Sequence, residues 1–404
     1  FRPFQEEVCQ AVAAGEDALL VMPTGAGKSL CYQLPGIARG GCTLVISPLI
    51  ALMDDQAGKL EALGFSAERI HSGRSREQLR ASCRMYLDGH LDFMFIAPER
   101  LSVPGFPEML AKRKPSLIAI DEAHCISHWG HDFRPDYRLL GERLPLLRPC
   151  PVIALTATAT PLVQDDIVAQ LGIKSARRFI RGFRRTNIAI EIMEVRSAER
   201  GATLAKLLSD AEMRPAIVYA PTRKKTDELA AELSECYRTV AYHAGLTSEK
   251  REEAQSAFLE GRVDVIVATI AFGMGIDKAD VRSVIHTALP SSVENYYQEI
   301  GRAGRDGKPS RAVLMHSYSD RRLHLFLHEK NYPDASVLQK IHRSLKSEAV
   351  QRQTLMEKIG MAPELFETAL DKLWVHGGAL VTPDEKVSLG RPDWAKPYKE
   401  QSEH

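Results

Sequence analysis

At 404 residues the chain is too long for one ordinary hydrophobic core, so two or three domains are expected. Hydrophobic residues at 44% and charged residues at 26% exclude a disordered chain, and no window approaches the ~18 unbroken apolar residues of a membrane span. A net charge of +1 gives no global attraction to polyanions, so any nucleic-acid binding must come from local patches.

The chain opens on Phe1 without an initiator methionine or signal-like segment and closes on "KEQSEH", which reads as a piece of a longer protein. Short, nearly unbroken apolar runs then recur between helix-like stretches: "ALLVMP", "TLVISP", "FMFIAP", "LIAIDE" and "VIALTAT". Such runs predict strands buried on both faces of a parallel sheet. After "RRFIRGFRRTNI" the alternation restarts with "AIVYAPT", "TVAYHAG", "DVIVATI", "SVIHTAL" and "RAVLMHS". The segments between them, such as "KKTDELAAELSE", have helical periodicity and terminal caps. Two α/β units are therefore expected, residues 1–182 and 183–330. The arginines of the junction (Arg177, Arg178, Arg181, Arg184 and Arg185) suit phosphates, interlobe carboxylates or a solvated linker face equally well.

Residues 331–404 differ: three helices, with breaks at Gly360 and "HGG", precede two short strands around "PDE". That order is winged-helix-like, the alternative being a generic helical cap. The seven cysteines all precede residue 237 and form no C-x-x-C pair. They read as scattered thiols in a reducing cytoplasm, and no structural zinc is expected in this chain.

Chemistry enters at "MPTGAGKS" (22–29), which follows a predicted strand and precedes a predicted helix, as a phosphate loop must. Thr24, Gly25 and Gly27 would let consecutive N–H groups face phosphates at a helix N-terminus. Lys28 would reach the β- and γ-phosphates, and Ser29 would give its hydroxyl to magnesium. Met22 stands where the strict pattern has glycine. Asp121 and Glu122 end the run "LIAI" at a sheet's carboxyl edge, where Asp121 can help hold Mg²⁺ and Glu122 can orient or deprotonate water. The stretch that follows, "DEAHCISHWGHDFRPDY" (121–137), is open on residue type alone. His124, His128 and His131 beside Cys125 have a spacing that zinc accepts, but two functional devices placed end to end fit as well.

Taken together these residues resemble the RecQ-like branch of the superfamily 2 DNA helicases, from Phe1 to about residue 317. "FRPFQ" is similar to the adenine-reading motif, which in the family begins a little upstream. "TGAGKSLCYQLP", "SPLIALMDDQ", "APERL", "DEAH" and "ALTATAT" resemble motifs I, Ia, Ib, II and III; "YAPTRKKTDELA", "ATIAFGMGIDK" and "YYQEIGRAGRDG" resemble motifs IV, V and VI. The resemblance implies two tandem RecA-like parallel-sheet lobes followed by the winged-helix-like part. It further implies ATP and Mg²⁺ as reactants, and 3′ to 5′ unwinding of DNA in repair and recombination. By motif position it implies Gln5 on the adenine edge and Arg2 near the ring, with Gly275 and Asp277 lining the nucleotide. Gln298, Arg302 and Arg305 would reach the phosphates across the cleft, with Arg305 as the arginine finger. His124, His128, Thr156 and Thr158 would couple the site to lobe motion. Ser47, Arg100, Thr222, Arg223 and Thr269 would contact the backbone of single-stranded DNA.

The resemblance also assigns residues 125–137 to an aromatic-rich loop that senses DNA, with Trp129 and Phe133 as stacking faces, each worth ~1–3 kcal/mol. The zinc alternative then recedes. His128 stands where the family usually has glutamine, and the four-cysteine zinc module that typically follows motif VI has no counterpart, since no cysteine follows Cys236. The expected partners are single-stranded and forked duplex DNA, with no membrane and no protein partner readable. The expected location is the cytoplasm, on the nucleoid in a bacterium. An RNA helicase and a non-catalytic scaffold are the competing readings; the aromatic loop and "FGMGIDK" speak for DNA, and the intact Lys28, Asp121, Glu122 and Arg305 speak for catalysis.

Overall fold

A run such as "LIAI" offers no polar face to water, and it forms an interior strand covered on both sides. In a computed structural model that describes residues 1, 4–127, 134–182, 185–273, 278–318, 320, 332–382 and 386–403, these runs assemble into two parallel sheets. The first contains β1 (Ala18–Val21), β2 (Thr43–Ile46), β3 (Ala67–Ile70), β4 (Phe93–Ile96), β5 (Leu117–Ile120), β6 (Val152–Thr156) and β7 (Arg177–Ile180). Its order is β3-β4-β2-β5-β6-β1-β7, and every neighbouring pair is parallel. Alternate side chains feed two separate cores: Leu19 and Val21 of β1 enter one, Ala18 and Leu20 the other.

The second sheet contains β8 (Ile188–Glu194), β9 (Ala216–Tyr219), β10 (Thr239–Tyr242), β11 (Val265–Ala268), β12 (Ser283–His286) and β13 (Ser310–His316). Its order is β10-β11-β9-β12-β13-β8, again all parallel. These two layered α/β lobes are RecA-like, as expected. They share one compact unit, residues 1–317.

Residues 318–404 form a second unit. Its helices span Ala335–Ser344, Arg352–Ile359, Pro363–Val375 and Ala395–Glu403. Gly360 takes φ 65° at the C-cap of the second, the left-handed geometry that ends a helix. Strands β14 (Val350–Gln351), β15 (Ala379–Val381) and β16 (Lys386–Leu389) make an antiparallel sheet of order β14-β16-β15. Phe366, Leu370 and Leu373 of the third helix pack with Leu338 and Ile341, and the tail adds Trp394 and Tyr398, so this unit has a core of its own. Among the described residues no helix is long and apolar enough to cross a membrane.

Candidate nucleotide site and nucleic-acid face

Parallel strands bring all their carboxyl ends to one edge of a sheet, where ligands bind in open α/β folds. The turn 22–29 follows β1, Thr156 ends β6, and Asp121 and Glu122 follow β5; these three strands are neighbours. The sheet order thus brings together residues some hundred positions apart in sequence.

Met22 directly follows β1. Its N–H donates to the Thr156 carbonyl at 3.1 Å and its side chain is buried, which explains why glycine is not needed there. The loop's curl falls on Gly25 (φ 76°) and Gly27 (φ 86°), and a Cβ at Gly27 would sit 2.5 Å from Gln5 Nε2. Lys28 Nζ spans the turn and donates to the Met22 carbonyl at 3.2 Å. Helix Leu30–Arg39 starts directly afterwards. Gln5 is buried and donates to the Ala26 and Gly27 carbonyls at 3.3 and 3.0 Å, so its amide braces the loop from behind.

Asp121 Oδ1 accepts the Glu122 N–H at 2.9 Å, and Glu122 itself takes φ 47°, a left-handed conformation uncommon for a non-glycine residue. Burial and the neighbouring Glu122 charge push Asp121 up to about 6, against the pull of Lys28. Two adjoining carboxylates in a buried site are a donor set that a hard cation suits. Ser29 Oγ, the other expected magnesium ligand, accepts from Gln56 Nε2 at 2.7 Å, while Gln56 Oε1 accepts from Tyr32 Oη at 2.7 Å. Gln56 closes the "SPLIALMDDQ" stretch; its amide side chain beside the loop was the available sequence signal, and only the fold reveals its partner.

A cleft of 580 Å³ opens over these groups. The first lobe lines it with Thr24, Gly25, Gly27, Lys28, Ser29, Asp121 and Glu122, and the second with Gln298, Arg302 and Arg305. The joint between lobes is close here: a Cβ on Gly301 would lie 3.2 Å from Thr24 Cβ, and one on Gly25 would lie 3.0 Å from Arg305 Cγ. Arg302 is buried and donates to the Gly273 carbonyl within its own lobe.

His124 links the carboxylates to the next strand. Its Nδ1 lies 2.9 Å from Thr156 Oγ1 and 3.3 Å from Glu122 Oε2. The Thr156 hydroxyl donates to the Thr158 carbonyl at 3.0 Å, so the proton of the histidine contact belongs on Nδ1. Three of the four residues expected to couple the site to its surroundings, His124, Thr156 and Thr158, are therefore one hydrogen-bonded chain.

The residues expected on DNA follow β2, β4, β9 and β11, on the carboxyl edges of their sheets. Thr222 and Arg223 are exposed; the Thr222 hydroxyl caps helix Arg223–Ser234 by accepting from Lys225 N at 3.2 Å. Thr269 is half-buried, and Arg100 is half-buried with its guanidinium 5.5 Å from the Phe106 ring centroid. Ser47 is buried instead, its hydroxyl without a hydrogen-bond partner among the described residues. Arg2, His128, Trp129, Phe133, Gly275 and Asp277 lie outside the described residues.

Comparison with known proteins bears on the family and the fold. The DEAD/DEAH box helicase family matches residues 2–166, and the helicase conserved C-terminal domain family matches 199–307. The chain is 41% identical over 367 residues to the ATP-dependent DNA helicase RecQ of Pasteurella multocida, covering 89% of this chain and 58% of that protein. It is 43% identical over 321 residues to RecQ of Haemophilus influenzae, covering 79% of this chain and 52% of the relative. To the probable ATP-dependent DNA helicase RecS of Bacillus subtilis it is 42% identical over 327 residues, covering 79% of this chain and 65% of the relative. The chain thus spans between about half and two thirds of the length of these proteins. In fold it is similar to the Mycobacterium smegmatis helicase Lhr bound to single-stranded DNA and AMP-PNP. That match has a TM-score of 0.61 at 21% identity and covers 98% of this chain and 59% of the other.

Proposed function

This chain belongs to the RecQ-like branch of the superfamily 2 helicases, and from that premise we propose that it is an ATP-dependent DNA helicase of 3′ to 5′ polarity. The observation that carries the reading is the 580 Å³ cleft, where the phosphate loop and the Asp121–Glu122 pair of one lobe meet Gln298, Arg302 and Arg305 of the other. A site divided between two lobes closes on ATP and relaxes after hydrolysis, which converts chemistry into movement.

In this reading the 22–29 backbone and Lys28 hold the phosphates, Glu122 orients the attacking water, and Arg305 offsets charge that develops in the transition state. Ser29 and Asp121 would hold magnesium, which would supply positive charge against the phosphates. His124 passes the state of Glu122 to Thr156 and Thr158. The single strand runs over the carboxyl edges, past Arg100, Thr222, Arg223 and Thr269, with Ser47 beneath it and Trp129 and Phe133 stacking on bases. Backbone contacts of this kind are indifferent to sequence, as a translocating motor requires. Residues 1–182, 183–330 and 331–404 are the working parts, the last a winged helix that grips the duplex at a fork.

The test is ATP hydrolysis with and without single-stranded DNA, and with single-stranded RNA as the comparison. DNA should stimulate turnover strongly, RNA weakly, and Lys28→Ala should reduce kcat by at least ~10²-fold with an unchanged circular dichroism spectrum. Equal stimulation by RNA would move the assignment to an RNA helicase, and wild-type turnover in Lys28→Ala would remove the ATPase site altogether.

A further inference from the structure

The arginine-rich junction "RRFIRGFRRTNI" does not act as one patch. Arg177 and Arg181 pair with Glu7, at 2.5 and 3.2 Å, and Arg178 pairs with Asp165 at 2.6 Å, all within the first lobe. Arg185 behaves differently. Its Nη1 donates to the Thr24 carbonyl of the phosphate loop at 3.2 Å and to the Gly301 carbonyl of the second lobe at 3.4 Å. Its Nη2 donates to the carbonyls of Ala303, at 3.3 Å, and of Gly304. Its Nε donates to Asn187 Oδ1 at 3.3 Å, and Asn187 Nδ2 in turn donates to the carbonyls of Gly304 and Lys308 at 2.8 and 2.9 Å.

One planar fork therefore ties the phosphate loop to the segment 301–308 that carries Arg302 and Arg305. Arg185 does so from outside the nucleotide cleft. It lines a 360 Å³ cavity with Pro23, Thr24, Ala157, Ile188 and Tyr297, which adjoins the cleft of Lys28 and Glu122 at Thr24. A guanidinium suits this role because its donors leave in fixed directions, whereas an ammonium on a flexible stem cannot hold several carbonyls in one plane.

We propose that Arg185, braced by Asn187, is a positioning residue that sets segment 301–308 against the phosphate loop and so places Arg305 for ATP hydrolysis; this rests on the ATPase reading above. Because Arg185 sits where the chain passes from one lobe to the other, the brace also makes the placement of Arg305 depend on how the lobes are set. Displacing a catalytic group by about an ångström costs up to ~10²-fold in rate, so a brace that touches no phosphate can still govern kcat.

The experiment compares Arg185→Ala, Arg185→Lys, Arg305→Ala and the double variant Arg185→Ala/Arg305→Ala, with backbone amide exchange followed across 301–308. Arg185→Ala should lower DNA-stimulated kcat by about 10- to 100-fold while the KM for ATP stays within about threefold. The double variant should be no slower than Arg305→Ala, because the brace has no purpose once the finger is gone. Exchange across 301–308 should quicken, and Arg185→Lys, which keeps the charge and folds readily, should retain most of the defect. Two multiplicative losses in the double variant would overturn the proposal, as would normal kcat with unchanged exchange in Arg185→Lys. If the wild-type chain hydrolyses no ATP, the ATPase reading fails on its own. The exchange data then decide the brace: quickened exchange upholds it and unchanged exchange ends it.

Discussion

Asp121 shows what the nucleotide site does to single residues. Burial and Glu122 raise its folded-state pKa to about 6, above the ~3.9 of an unperturbed aspartate. Between those values the folded chain holds a proton that the unfolded chain has released, so the stability contributed by the neutral acid is lost as pH rises through about 6. At pH 7–8 without divalent cations, the ionised pair therefore works against folding. Asp121→Asn keeps an oxygen for the Glu122 N–H but removes the charge. Calorimetry in EDTA at pH 7.5 should show its melting temperature raised by several degrees, the gap closing near pH 4, while its ATPase is abolished. A variant melting at or below wild type at pH 7.5 would mean that the carboxylate pair stores no such strain. Lys28, Ser29, Asp121 and Glu122 stand out in the sequence as candidates because phosphate and magnesium chemistry calls for these side-chain types at fixed spacing, and the fold brings them to one cleft. Arg185 was legible only as one charge among five. Its partners are main-chain carbonyls, which leave no trace in the identity of the residues that own them.

At the scale of elements, helix Val293–Ile300 stops at Gly301, and the glycine is there for space. Its φ is −61°, open to any residue, but a Cβ would come within 3.2 Å of Thr24 Cβ on the opposite lobe and 3.1 Å of the Tyr297 carbonyl. Gly304, three residues on, has φ 54° and no room at all, with Asn187 Nδ2 2.5 Å from its absent Cβ. The two alanine variants should separate accordingly. Gly301→Ala should melt within ~1 kcal/mol of wild type yet lose ~10-fold or more of DNA-stimulated kcat, since it pushes on the lobe joint; Gly304→Ala should also lose stability, by ~1–3 kcal/mol. Paired melting curves and turnover assays distinguish them, and normal turnover in Gly301→Ala would remove the joint from the mechanism. The interior strands were legible because each is an unbroken apolar run. Strands β3, β7 and β8 were not, for a physical reason: all three are edge strands, and "AERI", "RRFI" and "IAIEIME" carry the charges that an edge tolerates and an interior does not. A repeat also went unread. "IHSGRS" after β3 and "YHAGLT" after β10 fold alike. In each, the histidine Nδ1 accepts the N–H of the glycine two residues on, at 3.2 Å, and the closing Ser75 or Thr247 caps the next helix. Each histidine turns its Nε2 towards an aspartate, Asp54 at 3.6 Å and Asp227 at 3.0 Å.

At the scale of the whole molecule, the chain divides at 317/318 into two compact units, and in the proposed reading they do two kinds of work. Every residue assigned to ATP belongs to the first unit, whose lobes have their own cores, so the proposed ATPase would reside in that unit. The second unit has a core of its own, in which Phe366, Trp394 and Tyr398 are buried. Its tail helix was missed in the sequence because "AKPYKEQSE" is polar, although Tyr398 is buried. In the winged-helix reading, this unit binds duplex DNA. A chain ending at Ser317 should then keep most of its single-strand-stimulated ATPase, within about threefold, and lose about tenfold or more in affinity for forked duplexes. The reasoning is one of linked sites: a second grip on the same DNA multiplies affinity only for a substrate long and branched enough to reach both. Short single strands occupy the lobes alone and should not register the loss. Fluorescence anisotropy on a fork and on a short single strand, with ATPase measured on the same preparations, makes the comparison. An equal fall in fork binding, single-strand binding and turnover would show that residues 318–404 support the fold of the lobes rather than grip the duplex.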